Sequence, residues 1–187
     1  MATVSDLSKG NFIRYNGEVV QIEELQHRTP GNLRAFYQVK MRSVRTGKIV
    51  ENRFRPGDSV DQLRVETKEY QYLYQDGDSL VCMDNDTFEQ IYLDKLLLGD
   101  SVNYIKEGVT LIIAFENGTN PITAEAPAHV VVNVTYTEPG VQGDTATRTL
   151  KAATIETGAE IRVPLFVNTG DNIKIKTGTG EYVERVK

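Results

Sequence analysis

Apolar and polar positions alternate along most of the chain, in short runs that Gly, Asn, Asp and Pro cut off. From Leu33 to Arg42, Ala35, Tyr37, Val39 and Met41 fall on one face, and Gln38, Lys40 and Arg42 on the other. A period of two puts the apolar set in a core and the cations outside, so the segment is read as a strand. Tyr15-Asn16-Gly17-Glu18 predicts a hairpin, because Asn-Gly accepts the positive φ of a type I′ turn. Glu18–His27 is then a strand and Thr29-Pro30-Gly31-Asn32 the tip of the next hairpin. A turn at Thr46-Gly47-Lys48 leads to a strand over Ile49–Arg55, which Pro56-Gly57-Asp58 stops. Residues 1–64 therefore read as one compact SH3-like barrel.

Residues 65–127 show the same grammar. Glu66–Tyr74 is rich in Tyr and alternates, Asp76-Gly77-Asp78 turns, and Ser79–Met83 returns. Asp84-Asn85-Asp86 turns again before a strand over Phe88–Leu93. Lys95–Leu98 suits a turn or so of helix, and Val109–Phe115 is a buried strand. Strands, a short helix and more strands fit a five-stranded OB-type barrel. Residues 128–187 predict a second one, with strands over His129–Tyr136, Leu150–Ile155, Glu160–Val163 and Asn172–Lys176. The fold class is all-β, three small barrels in series.

Composition changes this picture little, and charge changes it more. The 187 residues carry a net charge of −5. Residues 1–64 hold 11 Lys+Arg against 7 Asp+Glu; subtraction from totals of 21 and 26 leaves 10 against 19 in residues 65–187. Between Arg28 and Arg55, Arg28, Arg34, Lys40, Arg42, Arg45, Lys48, Arg53 and Arg55 face only Glu51. Such a split suggests one module that meets a polyanion and two that avoid indiscriminate sticking. The bland alternative is a solvated basic face. No run of about 18 apolar residues marks a membrane span. The N-terminus lacks the features of a signal peptide, and the only cysteine, Cys82, suits a reducing compartment. The protein is expected in the cytoplasm, without a membrane partner and as a monomer.

Catalytic and metal motifs are weak. His27 and His129 lie in different modules without Cys or His at ligand spacing. Asp84-x-Asp86 opens like a calcium loop, but Phe88 stands at the fifth position, so a hairpin turn explains it better. Gly178-Thr-Gly180 precedes no helix and lacks the third Gly of a dinucleotide fingerprint. No metal, cofactor or catalytic residue is assigned; the sequence points to binding rather than to chemistry.

Three stretches carry a family likeness. Lys151-Ala-Ala-Thr-Ile-Glu-Thr-Gly158-Ala-Glu-Ile161-Arg-Val163-Pro164-Leu-Phe-Val167-Asn-Thr-Gly170 resembles the signature of bacterial elongation factor P. Tyr136-Thr-Glu-Pro-Gly-Val-Gln-Gly143-Asp144-Thr145 is similar to that family's third-domain loop, and Gly180-Glu-Tyr182-Val-Glu-Arg185-Val-Lys to its C-terminus. Pro30-Gly31-x-x-x-Ala35-Phe36 stands where the family carries its functional hairpin. The resemblance implies an SH3-like (KOW-like) barrel and two OB-type barrels in a tRNA-like L. It implies a non-enzymatic translation factor that binds both ribosomal subunits, rRNA and peptidyl-tRNA and relieves stalling at consecutive prolines. A paralogue with a narrower role, or another RNA-binding barrel protein, is the alternative.

By matching positions, Pro30, Gly31, Asn32, Leu33 and Arg34 would form the tip near the tRNA acceptor end. Gly143, Asp144 and Thr145 would make the distal contact by the small subunit, with Tyr182 and Arg185 as further candidates. Arg28, Lys40, Arg42, Arg53 and Arg55 would hold phosphates, which positions without specifying sequence. Each has a plain structural alternative: solvated surface for the cations, an ordinary turn for 143–145, packing at the chain end for Tyr182 and Arg185, and an edge strand marked by Pro164. The chain departs from the family at the tip. Many members carry there a lysine with an amine-bearing extension, and another branch an arginine bearing a sugar. Asn32 offers neither group, so an unmodified tip is expected, with Arg34 as the competing position; whether any modifying enzyme acts is left open.

Overall fold

The computed structural model describes residues 2–31, 33–140 and 149–187. Asn32 and the segment 141–148, with Gly143, Asp144 and Thr145, lie outside the described residues. The chain divides into two compact units, Met1–Lys68 with Ile113–Thr123, and Glu69–Ile112 with Ala124–Lys187. Its secondary structure is almost entirely strand, in three curled sheets, as the period-two alternation predicts.

The first sheet holds β1 (Ala2–Thr3), β2 (Phe12–Tyr15), β3 (Glu18–Arg28), β4 (Phe36–Ser43), β5 (Ile49–Phe54) and β6 (Ser59–Leu63), ordered β1-β6-β2-β3-β4-β5. Asn16 and Gly17 both have positive φ, 50° and 81°, so the Asn-Gly turn joins β2 to β3 as read. Val4, Leu7, Ile13, Val20, Ile22, Val39 and Met41 fill the core. In β3 the apolar spacing slips from two to three between Ile22 and Leu25. A β-bulge between Ile22 and Glu24 absorbs the slip, so Leu25 again faces inward, opposite Val39.

The second sheet is ordered β11-β10-β7-β8-β9, from β7 (Val65–Asp76), β8 (Ser79–Asp84), β9 (Gln90–Asp94), β10 (Thr110–Glu116) and β11 (Asn120–Glu125). Three expectations change here. Tyr70 and Tyr72 are buried, but a bulge between Tyr72 and Tyr74 turns Tyr74 out to solvent. Phe88 does not begin a strand. Asp84 gathers the chain, its Oδ1 accepting from the Asp86 and Thr87 amides at 2.8 and 3.2 Å, and its carbonyl accepting from the Phe88 amide at 3.0 Å. Phe88 is left at φ 61°, exposed, and β9 starts at Gln90. The helical turn is a 3-10 segment over Lys95–Asn103, broken at Gly99 and capped by the Asp94 carboxylate, which accepts from the Leu96 amide at 2.9 Å. Cys82 sits in the middle of β8 with no exposed surface, and burial pushes its thiol up to about 11 from an ordinary 9.0.

The third sheet is ordered β14-β13-β12-β15-β16, from β12 (His129–Thr137), β13 (Leu150–Ile155), β14 (Glu160–Pro164), β15 (Asn172–Lys176) and β16 (Tyr182–Val186), with every pairing antiparallel. Pro164 closes β14, an edge strand, where a residue without an N–H costs no ladder bond. Within the second unit, Tyr104 and Val109 pack on this barrel's core. Thr157 Oγ1 donates to the Asn103 carbonyl at 2.7 Å, and Lys106 meets Glu156 at 3.1 Å. Gly180 accepts the Tyr104 ring so closely that a Cβ there would lie 2.5 Å from it.

Candidate functional site

The longest hairpin is β3–β4, and its ladder runs unbroken from Glu24↔Lys40 to Arg28↔Phe36. Beyond it the Leu33 amide donates to the Pro30 carbonyl at 2.9 Å. Of the described tip residues, Pro30 is half-buried and Gly31, Leu33 and Arg34 are exposed, Leu33 by 74%. An apolar side chain so presented at a hairpin end contributes nothing to the barrel core. The inner face of the ribbon carries aromatic rings outward from that core. Tyr15 meets Phe54 edge-on at 6.0 Å, Phe54 pairs with Tyr37 across β5 and β4, and His27 lies on the Tyr37 ring at 4.7 Å. These rings stiffen the ribbon towards its tip.

On the outer face the cations are graded. Nearest the barrel, Arg42 binds Glu23 at 2.5 Å, the bulge residue of β3. In the next row Lys40 stands between Glu24 and Glu51. Further out come Gln26, Gln38 and Arg53, and Arg53 lies 5.0 Å from the centre of the Phe36 ring. Among the described residues Arg28 donates to the neutral Gln26 alone, at 2.7 and 3.1 Å. Arg55 follows β5 in the turn that its own amide closes on Asp58. Charge counted along one stretch of chain missed the glutamates of β3, which the antiparallel fold lays across Lys40 and Arg42. Among the described residues, the positive charge left without a carboxylate partner is thereby moved towards the tip, at Arg28, Arg34 and Arg53.

In the third barrel Tyr182 and Arg185 share one neighbour, Phe166. Tyr182 meets its ring edge-on at 6.3 Å, and the Arg185 guanidinium stands 5.6 Å from its centre and 3.5 Å from Asp171. Sequence reading missed Phe166, which is 57% exposed within a signature otherwise read as strand and turn. Its one signal is a large apolar residue after Pro164, beyond the end of β14. Gly140, just beyond the end of β12, lies against Leu165, the neighbour of Phe166 in the chain. Among the described residues, no three His, Cys, Asp or Glu side chains are grouped to hold a metal.

An SH3-like barrel with a long, tip-charged hairpin, followed by OB-type barrels, is the architecture of a β-barrel translation factor. Comparison with known proteins agrees. Residues 3–60 match the elongation factor P (EF-P) KOW-like domain, 65–123 the elongation factor P (EF-P) OB domain, and 130–185 the domain described as elongation factor P, C-terminal. Elongation factor P of Chloroherpeton thalassium is 48% identical over 187 residues, all of both chains. That of Flavobacterium psychrophilum is 46% identical over 188 residues, again across the whole of both. A solved structure titled eukaryotic translation initiation factor 5A from Methanococcus jannaschii shares the fold, with a TM-score of 0.51 at 18% identity, over 67% of this chain and 90% of that one. The chain belongs to the elongation factor P family.

Proposed function

We propose that this protein binds the ribosome beside peptidyl-tRNA and speeds peptide-bond formation where consecutive prolines are joined. The observation that carries the reading is the β3–β4 hairpin, fully paired to Arg28↔Phe36 and exposing Leu33 and Arg34 at its end, in a chain of this family. Proline is a constrained nucleophile that restricts the geometry of its neighbours. A stiff ribbon that steadies the tRNA end recovers rate by positioning, since a misplacement of ~1 Å can cost about a hundredfold. No side chain need transfer a proton.

In this reading Pro30, Gly31, Asn32, Leu33 and Arg34 form the working tip. Arg28 and Arg53 are the leading phosphate contacts and Arg55 a third, whereas Lys40 and Arg42 serve chiefly to balance the glutamates of β3. Gly143, Asp144, Thr145, Tyr182 and Arg185 form the distal contact, with Phe166 setting the last two. Asn32 works without modification. Co-sedimentation with ribosomes, together with translation kinetics on reporters with and without three consecutive prolines, tests the function. Selective acceleration of the proline reporter is expected. The sequence feature favouring the paralogue is Asn32 itself, and equal effects on both reporters would decide for it. Peptide mass spectrometry of protein from its native host tests the tip; an adduct on Arg34 would overturn the unmodified Asn32.

A further inference from the structure

The outer face of β7, β8 and β9 presents tyrosines beside carboxylates. Val81 pairs with Tyr74 on one side and Tyr92 on the other, so the three lie in one row. The next row on the same face is Asp76, Ser79 and Asp94. The row on the opposite side centres on Met83, between two glutamines. Tyr74 and Tyr92 are 45% and 65% exposed, while Val81 beneath them is buried. The bulge in β7 creates this arrangement, because an unbroken alternation would have sent Tyr74 inward with Tyr70 and Tyr72.

Neighbours within a row stand ~5 Å apart and successive rows on one face about 7 Å apart. A guanidinium or ammonium laid on either tyrosine ring would therefore reach a carboxylate of the next row. Among the described residues neither Asp76 nor Asp94 is in an ion pair, since nearby Lys95 is held by Asp78 at 2.6 Å. Exposed rings on an OB barrel suit nucleic acid when cations surround them; here the surround is acidic, within residues 65–187, which hold 10 basic and 19 acidic residues. Phosphates are repelled. We propose that this face docks an arginine- and lysine-rich segment of a partner protein, its cations stacking on Tyr74 and Tyr92 and pairing with Asp76 and Asp94.

The test uses the full chain and a fluorescein-labelled peptide of alternating Arg and Gly, with labelled oligouridylate as the competing probe. The peptide is expected to bind, more weakly as salt rises, and Tyr92→Ala should raise Kd at least fivefold. Tyr92→Phe keeps the ring and should stay within twofold. Asp76→Asn with Asp94→Asn, which keeps a capping side chain at 94, should raise Kd about tenfold. Glu160→Gln with Glu184→Gln removes the same charge from the third barrel and should change little. Equal losses from the two charge-neutralised pairs, an unchanged Kd for Tyr92→Ala, or oligouridylate binding that Tyr92→Ala abolishes would each overturn the proposal. None of these measurements involves ribosomes or prolines, so they stand apart from the hairpin's role.

Discussion

Replacing Gly180 by Ala probes how tightly the middle barrel is seated on the third. Two costs arise. Gly180 has φ +70°, where a side chain costs ~1–2 kcal/mol. The new methyl carbon would also lie 2.5, 2.6 and 2.8 Å from Tyr104 Cε1, Cζ and Oη, so the ring must move. Forced repacking of this kind costs ~1–3 kcal/mol. At a few °C per kcal/mol for a chain of this size, the sum corresponds to a fall of roughly 10 °C in Tm. Gly170 supplies the control, since it has φ +91° with no heavy atom within 4 Å of a Cβ. Gly170→Ala should therefore show the backbone cost alone, about half the drop. Differential scanning calorimetry reads both. Adding Tyr104→Ala to Gly180→Ala should cost less than the two single changes together, because the clash is then gone. Equal melting of the Gly170 and Gly180 variants, or strict additivity with Tyr104→Ala, would refute a tight seat.

Reversing Arg53 and Arg55 to Glu should weaken ribosome binding more than reversing Arg162 and Lys187. It should also flatten the dependence of log K on log salt by roughly one for each phosphate that the variant no longer neutralises; equal losses would refute steering by the first barrel. Asn32→Ala should impair polyproline rescue more than Arg34→Ala in reporter kinetics, and the reverse order would place the tip at Arg34. A double-mutant cycle on Arg42 and Glu23 should yield under ~1 kcal/mol by denaturant titration, because Arg42 is exposed and Glu23 only half-buried. Cys82 holds its proton up to about pH 11 when folded but loses it near 9 when unfolded. Stability should therefore be full below pH 9 and fall between 9 and 11, and Cys82→Ala should flatten that fall in urea titrations across the range.

Sequence periodicity revealed most strands because one face of each is buried, which imposes a strict alternation. It failed where a bulge resets the alternation, at Glu23 and at Tyr74, since no single residue type announces a bulge. It failed again at Phe88, where the Asp84 carboxylate, not the apolar pattern, decides where the strand resumes. Strands β6 and β11 went unseen for a different reason: Ser59–Leu63 and Asn120–Glu125 are short and polar, and Pro121 reads as a breaker. At the hairpin, composition located the basic segment. It could not show which cations are spent, because Glu23 and Glu24 become neighbours of Arg42 and Lys40 only through strand register. Phe166 was hidden for a similar reason: its partners Tyr182 and Arg185 lie on β16, and only the fold of the third barrel brings that strand to the loop after β14.

The buried Cys82 has a practical side. A thiol reacts as its thiolate, and one with no exposed surface and a proton held to about 11 stays silent to maleimides near neutral pH. The natural chain is thus already a blank background for site-directed labelling. A cysteine introduced at Leu33, which is exposed and outside every core, would take up a dye alone. Fluorescence from that position would then report when the hairpin end leaves water for a binding site, with no need to remove the native residue.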